Sequence, residues 1–499
     1  MLRLTASTAA GFVMFVSSTH AQSTMQWAAA VDGDFGIAAN WSPAMIPGPL
    51  DTAVLGGDTP YVVRSELSRS VAVVDVMNTQ ATFAIAGSRG LTIEEARGRG
   101  TILVNDVGAA SVTDFLLRPG ASVDPDIVLN APEGVPISSA RLRRTSSGGD
   151  AITINGDVFG RGQISGSFNF EGDIDVSSAG DFMAFSLGDL VLGSNTTVRS
   201  DVGAGISLSN ITASGGTWDG GSGGLIEPIR STLTDAAFTG TWQIRAARNL
   251  TLAGSASGTG TFVVNDDQSP GTTQILFEPG AMLEPDVVLN AGPGAPVASA
   301  QMRPVDPSGA LVTLLGDISG RGNLVGGFSL QGTVSPGSPA VPTDLIAFNV
   351  LTPLVFESGS ALDIEIAGTD DAQLDRLAGI GTVAVGGELD VRFIDGFGPE
   401  AADRFEIISA SVVEGTFDSV RIDDVGSFGP AHVVYTSEAV IVVACAADRD
   451  GDGDLTIFDF LAFQNLFDAG DTRADLDGDG NLTIFDFLVF QNRFDEGCG

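Results

Sequence analysis

The chain has 499 residues, a formal net charge of −38 and 43% hydrophobic residues. It is therefore long enough for more than one domain and too acidic to bind nucleic acid or an anionic membrane by charge. It contains two cysteines, two histidines and no lysine. These counts argue against histidine-ligated zinc and lysine-based catalysis, and leave carboxylates, arginines and a bound cation as the available chemistry.

Residues 1–21 have the pattern of a secretory signal peptide. Arg3 precedes an apolar run over residues 9–16, and Thr19-His20-Ala21 offers a cleavage site after Ala21. The apolar run is too short to span a bilayer, so the pattern predicts a secreted or cell-surface protein without a transmembrane segment. Cleavage leaves His432 as the one histidine, and we interpret it as a structural residue on a strand.

Residues 22–337 alternate short apolar runs with Gly, Asn and Asp, which is typical of short strands between turns. Within them, residues 98–172 align without a gap with residues 258–332, at an offset of 258 − 98 = 160 positions. Landmarks shared by the two copies are Val104-Asn105-Asp106 with Val264-Asn265-Asp266, and Gly160-Arg161-Gly162 with Gly320-Arg321-Gly322. A long duplicated period with little helical pattern predicts stacked coils around one continuous core.

This organisation favours a mostly β chain built as a right-handed parallel β-helix, or solenoid. The alternative is a tandem arrangement of β-sandwiches. The two architectures differ in strand pairing, because solenoid coils pair in parallel whereas sandwich sheets are antiparallel.

Several side chains in this region are candidates for sugar chemistry. They are the carboxylate pairs Asp124/Asp126 and Glu284/Asp286, the arginines Arg161 and Arg321, and the tryptophans Trp218 and Trp242. Paired carboxylates can hydrolyse glycosides. However, a proline separates the members of each pair, and both copies of the repeat carry one. We therefore interpret the pairs and the arginines as structural corners and the tryptophans as core residues.

Residues 338–444 are predicted to form a β-rich segment that closes the solenoid. The stretch Gly332-Thr333-Val334-Ser335-Pro336-Gly337 precedes it, and strand-like runs such as Leu362–Ile366 and Phe405–Ile408 follow. Together with Asn40-Trp41-Ser42-Pro43 near the start, these segments resemble secreted bacterial β-helix proteins of the autotransporter-passenger type. The resemblance implies a fold and export, but no reaction.

Residues 445–499 carry one 12-residue acidic loop twice. Oxygen-bearing side chains recur at positions 1, 3, 5, 9 and 12 with glycine at position 6, the spacing of an EF-hand-like calcium loop. The predicted ligands of two calcium ions are Asp448, Asp450, Asp452, Asp454, Thr456 and Asp459 in the first loop, and Asp475, Asp477, Asp479, Asn481, Thr483 and Asp486 in the second. Position 7 would offer its carbonyl, and the threonines would act through water.

A helix is expected after each loop, over residues 458–467 and 485–494. The spacing of Phe460, Phe463 and Phe467 places them on one helix face, as does that of their counterparts in the second helix. Such a face can form a core between the two helices, or it can bind a partner. Too few residues separate the two units for a helix before the second loop, so each unit is a loop followed by a helix.

Tandem loop–helix units of this spacing resemble the type I dockerin, the module that docks onto cohesin domains in polysaccharide-degrading assemblies. The resemblance covers residues 445–498 and implies binding of two calcium ions and of a cohesin-like or other surface protein. Dockerins commonly carry small polar residues at loop positions 10 and 11, where the cohesin is recognised. This chain has Ile457-Phe458 and Ile484-Phe485 there.

Cys445 and Cys498 bracket this module, and in an exported protein such an isolated pair predicts a disulfide. The sequence favours a non-catalytic extracellular scaffold or adhesion protein that assembles through the module, and it assigns no catalytic residue. The alternative is a polysaccharide-degrading enzyme on a pectinase-like β-helix, tethered by its dockerin. A polysaccharide ligand is compatible with both hypotheses.

Overall fold

The structure is a computed structural model that describes residues 22–245, 247–337, 344–349, 353–399, 403–422, 431–445, 447–451, 454–477 and 479–497. The predicted signal peptide, Asp452 and Cys498 lie outside these residues. In the described part of the chain, no helix is long and apolar enough to cross a membrane.

Alternating burial explains why the middle of the chain forms strands. In Thr101–Val104, for example, the side chains of Ile102 and Val104 are fully buried and those of the intervening residues are partly exposed. This period of two is that of a strand with one face in a core.

The strands follow one another along the whole β region. The first are β1 Thr24–Trp27, β2 Gly33–Asp34, β3 Trp41–Ser42, β4 Thr52–Leu55, β5 Tyr61–Ser65, β6 Arg69–Ser70, β7 Val73–Val76, β8 Ala81–Ile85, β9 Gly90–Gly98, β10 Thr101–Val104, β11 Thr113–Val123, β12 Asp126–Asn130, β13 Ala140–Arg144, β14 Ile152–Ile154, β15 Val158–Ser165, β16 Phe168–Phe170 and β17 Ile174–Val176. The middle ones are β18 Phe182–Ser200, β19 Gly205–Asp219, β20 Gly224–Ile229, β21 Ser231–Thr234, β22 Ala237–Thr239, β23 Thr241–Ile244, β24 Asn249–Ala253, β25 Ser255–Ala256, β26 Thr261–Val264, β27 Thr273–Phe277, β28 Met282–Leu283, β29 Asp286–Asn290, β30 Ala300–Pro304, β31 Val312–Leu314, β32 Ile318–Val325, β33 Phe328–Leu330 and β34 Thr333–Pro336. The last are β35 Leu345–Asn349, β36 Leu354–Phe356, β37 Ala361–Ile366, β38 Arg376–Ile380, β39 Thr382–Val385, β40 Glu388–Phe393, β41 Arg404–Ser409, β42 Val412–Gly415, β43 Ser419–Ile422, β44 Ala431–Tyr435 and β45 Ala439–Ala444. Two helices follow, α1 Ile457–Asp468 and α2 Ile484–Glu496.

Parallel pairing between successive coils builds the sheets. Thr101 pairs with Thr82 of the preceding coil and with Asp126 of the next, in parallel on both sides. Between the strands named above, antiparallel pairing is confined to β1–β3, β41–β45 and β44–β45. The chain is thus a mostly β, parallel solenoid, as predicted, and the tandem-sandwich alternative is wrong.

The two copies of the repeat occupy equivalent places in the ladder. Ile127 pairs with Val158 in the first copy, and Val287 pairs with Ile318 in the second. The shared Asn105 and Asn265 are both fully buried and have φ values of 70° and 69°. Each side-chain amide donates to a backbone carbonyl of the next coil, so the landmark asparagines hold neighbouring coils together.

Aspartates form a second kind of link between coils. Asp126 accepts the backbone N–H of Asp157 at 3.0 Å, Asp157 accepts that of Asp173 at 2.8 Å, and Asp173 accepts that of Thr197 at 2.7 Å. The second copy repeats the first two links with Asp286, Asp317 and Thr333. Each carboxylate therefore satisfies an amide of the coil above it, which is a structural role.

A hairpin ends the β region. Strands β44 and β45 pair antiparallel, and β45 also pairs antiparallel with β41, which belongs to the last coils of the solenoid. An antiparallel hairpin laid on a parallel ladder covers an edge that would otherwise present unpaired backbone groups.

Asp375 lies in this closing region and is only 1% exposed. Its two oxygens accept the backbone N–H groups of Asp344 at 2.7 Å and Glu365 at 2.9 Å. Burial raises the pKa of Asp375 to about 8, although both hydrogen bonds act in the opposite direction.

A dependence of stability on pH follows from this buried carboxyl group. Because the folded protein holds the Asp375 proton more tightly than the unfolded chain does, its contribution to the free energy of unfolding should fall as pH rises from about 4 to about 8. Denaturant midpoints at pH 5 and pH 8 measure the change, which should shrink in Asp375→Asn. The control Asp189→Asn alters an exposed carboxylate and should keep the wild-type difference; equal differences in all three proteins would contradict the assignment.

Candidate metal centre

The C-terminal module is built from two loop–helix units of the predicted kind. Helices α1 and α2 begin with the same capping box, in which the side chains of Thr456 and Thr483 accept the N–H groups of Phe458 and Phe485 at 3.1 Å. In return, Asp459 and Asp486 accept the N–H groups of these threonines at 2.7 Å. Both loops are therefore locked to the helix that follows them.

The first loop brings three predicted ligands together. Ligand oxygens of Asp448, Asp450 and Asp459 lie within 4.8 Å of one another. Asp448 and Asp459 are fully buried, and Asp450 is exposed. Asp452 lies outside the described residues, and Thr456 serves as the cap of α1.

The second loop repeats this arrangement with a different trio of carboxylates. Ligand oxygens of Asp475, Asp477 and Asp479 lie within 4.8 Å of one another. Asp486 is fully buried and accepts the N–H groups of Leu476 and Asp477 at 2.7 and 3.2 Å. The backbone N–H of Asn481 donates to Asp479 at 2.8 Å, and Gly480 has a φ of 81°, the left-handed turn that position 6 requires.

The environment of the second loop shifts the pKa values of two carboxylates in opposite directions. Desolvation and the charges of Asp479, Asp486 and Asp475 raise the pKa of Asp477, although the backbone N–H of Asp479 acts to lower it. Desolvation also acts to raise the pKa of Asp486, but hydrogen bonds from backbone N–H groups outweigh it and hold that pKa below its usual value. Asp486 is thus kept ionised in a place where its charge needs compensation.

Both clusters fit a hard divalent cation. Their donors are carboxylate oxygens, which calcium and magnesium prefer. Like charges at such short range repel one another unless a cation lies between them. A calcium ion would be held by Asp448, Asp450 and Asp459 in the first loop and by Asp475, Asp477, Asp479 and Asp486 in the second.

The phenylalanine stripes form a core between the two helices. Phe463 and Phe490 stack with their ring centroids 4.6 Å apart and their planes 8° apart, and Phe460 meets Phe487 edge-on at 5.8 Å. The fully buried part of this core is small, consisting of Phe463, Ala474, Leu476 and Phe490.

A second apolar surface of the helices faces solvent. Its members are Ile457 (64% exposed), Phe458 (63%) and Leu461 (46%) on α1, and Ile484 (63%), Phe485 (61%) and Leu488 (45%) on α2. We call these two sets the apolar patches. Corresponding members lie 484 − 457 = 27 positions apart in the sequence and have nearly equal exposure, so the duplication of the loops extends to the surface of the helices.

The candidate residues of the solenoid have structural roles. Arg161 donates to the backbone carbonyls of Pro132 and Val135 at 2.6 and 2.8 Å, and Arg321 donates to the equivalent carbonyls of its own copy. Trp218 and Trp242 are 1% and 0% exposed, so they offer no platform for a sugar ring. Asp124 accepts a hydrogen bond from Asn155 at 2.7 Å, and Glu284 accepts the N–H of Gly258 at 2.9 Å.

Sequence analysis missed one contact at the metal centre. Nδ1 of His432, on β44, lies 3.1 Å from Oδ2 of Asp448, the residue at position 1 of the first loop. Nothing in the sequence pattern links a strand residue to a loop that begins 448 − 432 = 16 positions later, because the contact depends on how the hairpin folds back.

The structure describes one of the two cysteines of the predicted disulfide. Cys445 is 2% exposed, immediately after β45, and Cys498 lies outside the described residues. The Cys445–Cys498 bridge therefore stays a prediction.

Comparison of the chain with protein-family models, with curated proteins and with solved structures finds no match. The functional argument therefore rests on the geometry of the two acidic loops, the helices that follow them and the solenoid that precedes them.

Proposed function

We propose that this is an exported, calcium-binding and non-catalytic scaffold or adhesion protein that assembles with a partner protein through its dockerin-like C-terminal module. The observation that carries the proposal is the pair of apolar patches, which begin at positions 10 and 11 of the two acidic loops and continue along the helices. The solenoid would act as a rigid spacer or adhesive surface. Export, the disulfide and the two calcium ions belong to the same proposal.

The apolar patches have the properties of a docking surface. Six large apolar side chains are 45–64% exposed on two short helices, which a soluble protein rarely tolerates without a partner. The calcium loops fix the first turn of each helix, where Ile457, Phe458, Ile484 and Phe485 lie. Metal binding would therefore order the surface that the partner contacts.

Apolar grooves lie between the helices beside these patches. One, of about 390 Å³, is lined by Phe460, Phe463, Gln464 and Phe467 of α1 together with the first turn of α2. The other, of about 400 Å³, is lined by the equivalent residues with the helices exchanged. We propose that the partner is a protein with an apolar, aromatic-rich docking face, because the grooves offer packing surface with few polar groups.

The structural roles of the candidate residues support the proposal that the solenoid is not catalytic. The carboxylate pairs and the corner arginines are engaged in hydrogen bonds between coils, and both tryptophans are buried. The chain also has a single histidine beyond residue 21 and no lysine. Nucleophilic and Schiff-base chemistry would have to be built from very few groups.

One surface groove of the solenoid favours the enzyme alternative. A groove of about 540 Å³ is lined in part by Glu94, Glu95 and Arg97. Arg97 donates two hydrogen bonds to Glu95, at 2.7 and 2.6 Å. Desolvation raises the pKa of the neighbouring Asp75, with the Arg97 charge acting to lower it. If the protein is a polysaccharide-degrading enzyme, these carboxylates are the acids and bases to change first.

The docking proposal predicts loss of assembly when the apolar patches become polar. In extracts of the producing cells supplied with calcium, immobilised wild-type protein should retain a partner that a chelator releases. Phe458→Ser/Phe485→Ser should reduce that retention at least about tenfold, because buried aromatic anchors each contribute about 2 kcal/mol or more. Calcium titration of the variant checks that its loops remain intact.

The matched control changes equally exposed apolar residues elsewhere. Val107 and Leu187 are each 71% exposed on the solenoid, so Val107→Ser/Leu187→Ser should retain the partner as the wild type does. Undiminished retention by the patch variant would refute docking through these helices. Turnover of any polymer in a glycan panel, abolished by Asp75→Asn or Glu95→Gln, would replace the non-catalytic proposal with the enzyme alternative.

A further inference from the structure

The junction between the solenoid and the C-terminal module is packed rather than extended. Strand β45 ends at Ala444, and the first acidic loop begins at Asp448. Along this junction Cys445, Ala447, Asp448 and Arg449 are 2%, 1%, 0% and 9% exposed. A flexible tether would expose such residues, so the first loop lies against the end of the solenoid.

His432 contacts the loop from the solenoid side. It pairs with Val443 in the hairpin of β44 and β45, and its side chain is about 10% exposed. Its Nδ1 lies 3.1 Å from Oδ2 of Asp448, but this pair is not aligned as a hydrogen bond, and Nδ1 has no other hydrogen-bond partner among the described residues. A buried ring nitrogen thus lies close to a buried carboxylate oxygen, and buried polar groups of this kind usually form a hydrogen bond.

The two oxygens of Asp448 face different neighbours. Oδ1 accepts the N–H of Gly451 at 2.8 Å, within the loop, whereas Oδ2 faces the imidazole. In the second loop, Asp475 accepts the N–H of Gly480 at 2.8 Å but is only half buried. Beyond residue 21 the chain has no second histidine to approach it. At position 1 the two loops therefore differ in burial and in the side chain that approaches from the solenoid.

The His432 imidazole is positioned to hydrogen-bond to the Asp448 carboxylate rather than to bind the cation directly. The group of ligand atoms within 4.8 Å of one another consists of carboxylate oxygens from Asp448, Asp450 and Asp459. Calcium takes oxygen ligands, and a ligating carboxylate is commonly oriented by a hydrogen bond from an outer residue. An N–H of His432 directed at Oδ2 would fix the rotamer of Asp448 and keep its other oxygen in the loop.

We propose that His432 is a positioning residue for the first calcium site, and that calcium bound there fastens the C-terminal module to the hairpin that closes the solenoid. The inference rests on the proposed binding of calcium and goes beyond it. It states that the first site needs a residue of the solenoid hairpin in addition to the ligands of the module. Coupling is reciprocal: if the hairpin strengthens calcium binding, calcium stabilises the hairpin by the same free energy.

The experiment uses the full-length protein with one calcium site at a time. In an Asp475→Ala background, calcium titration by calorimetry reports the first site, and in an Asp448→Ala background it reports the second. In the first background, His432→Leu should weaken calcium binding about tenfold or more, the range found for outer-shell partners of metal ligands. In the second background the same substitution should leave calcium binding unchanged.

Two further measurements separate positioning from a general structural role. His432→Asn places an amide N–H near the position of Nδ1 and should restore most of the affinity that His432→Leu loses. Amide hydrogen exchange over residues 431–444 should slow when calcium is added to the wild type, and this slowing should be lost in His432→Leu. Exchange in α2 should respond to calcium equally in both proteins.

The possible failures are distinguishable. If neither loop of the wild type binds calcium, the proposed function fails as well. If both loops bind calcium, but His432→Leu leaves first-site affinity and hairpin exchange unchanged, this inference alone is overturned. An equal loss of affinity at both sites would also overturn it, because it would mean that the substitution damages the fold rather than one ligand.

Discussion

Removal of calcium should unfold the helix pair at the C-terminus and leave the solenoid folded. Among the described residues, the apolar core of the module consists of four buried side chains and a ring of partly buried ones, which is little apolar surface for a unit of this size to fold alone. The module also contains two groups of three carboxylates, and the ligand oxygens within each group lie within 4.8 Å of one another. The negative charges within each group repel one another, and a bound cation replaces that repulsion with attraction. Metal binding and folding of the module should therefore occur together.

Calorimetry should find about two calcium ions per molecule, and circular dichroism should show loss of helix after chelation while the β signal remains. At a calcium concentration 1,000-fold above the dissociation constant, binding at one site raises the free energy of unfolding of the module by about 4 kcal/mol. Asp448→Ala/Asp475→Ala should weaken binding at both loops by at least about 100-fold, since groups that only support ligands contribute roughly 10–100-fold.

A matched control keeps the charge change and moves it away from the ligands. Asp468→Ala/Asp495→Ala also removes two carboxylates from the module, but near the C-terminal ends of the helices and outside both clusters, so it should retain two sites of wild-type affinity. A calcium stoichiometry of zero for the wild type, or helices that persist unchanged in chelator, would disprove this account of the module.

Much of the fold was predictable because its signals are local or repeated. Short apolar runs separated by Gly, Asn and Asp, together with the 160-residue repeat, indicated stacked coils, and the ladder pairs Ile127 with Val158 and Val287 with Ile318 at that same offset. The spacing of acids and glycine in each loop likewise indicated the clusters around Asp448 and Asp475. The predicted handedness of the solenoid and its domain boundaries stay predictions.

The contacts that sequence analysis missed join residues of different coils. Asp126 accepts the N–H of Asp157, 31 positions along the chain, whereas Asp157 accepts that of Asp173, only 16 positions along. Coil length varies with the turns, so no fixed period reveals which residue an aspartate reaches. The contact between His432 and Asp448 was also unpredictable, because it depends on the return of β45 along β44.

Replacement of Trp242 by alanine should destabilise the solenoid more than the other substitutions considered for it. The side chain is fully buried in β23, its strand pairs with β20 on one side and β26 on the other, and its indole N–H donates to the carbonyl of Trp218 at 3.2 Å. Truncation would leave a large cavity in the continuous core and remove the hydrogen bond to Trp218. Buried Trp-to-Ala substitutions cost about 3–5 kcal/mol of the free energy of unfolding.

Chemical denaturation followed by circular dichroism measures the loss without relying on tryptophan emission. Gln243→Ala, one residue along the same strand, alters a side chain on the opposite face and should change the free energy of unfolding by about 0.5 kcal/mol or less. Calcium binding by the C-terminal loops should be unaffected in both variants, because Trp242 lies in the middle of the solenoid ladder and the loops follow its closing hairpin. If Trp242→Ala left stability intact and instead abolished binding to a polysaccharide, Trp242 would be an exposed sugar platform, and the assignment of this strand to the core would be wrong.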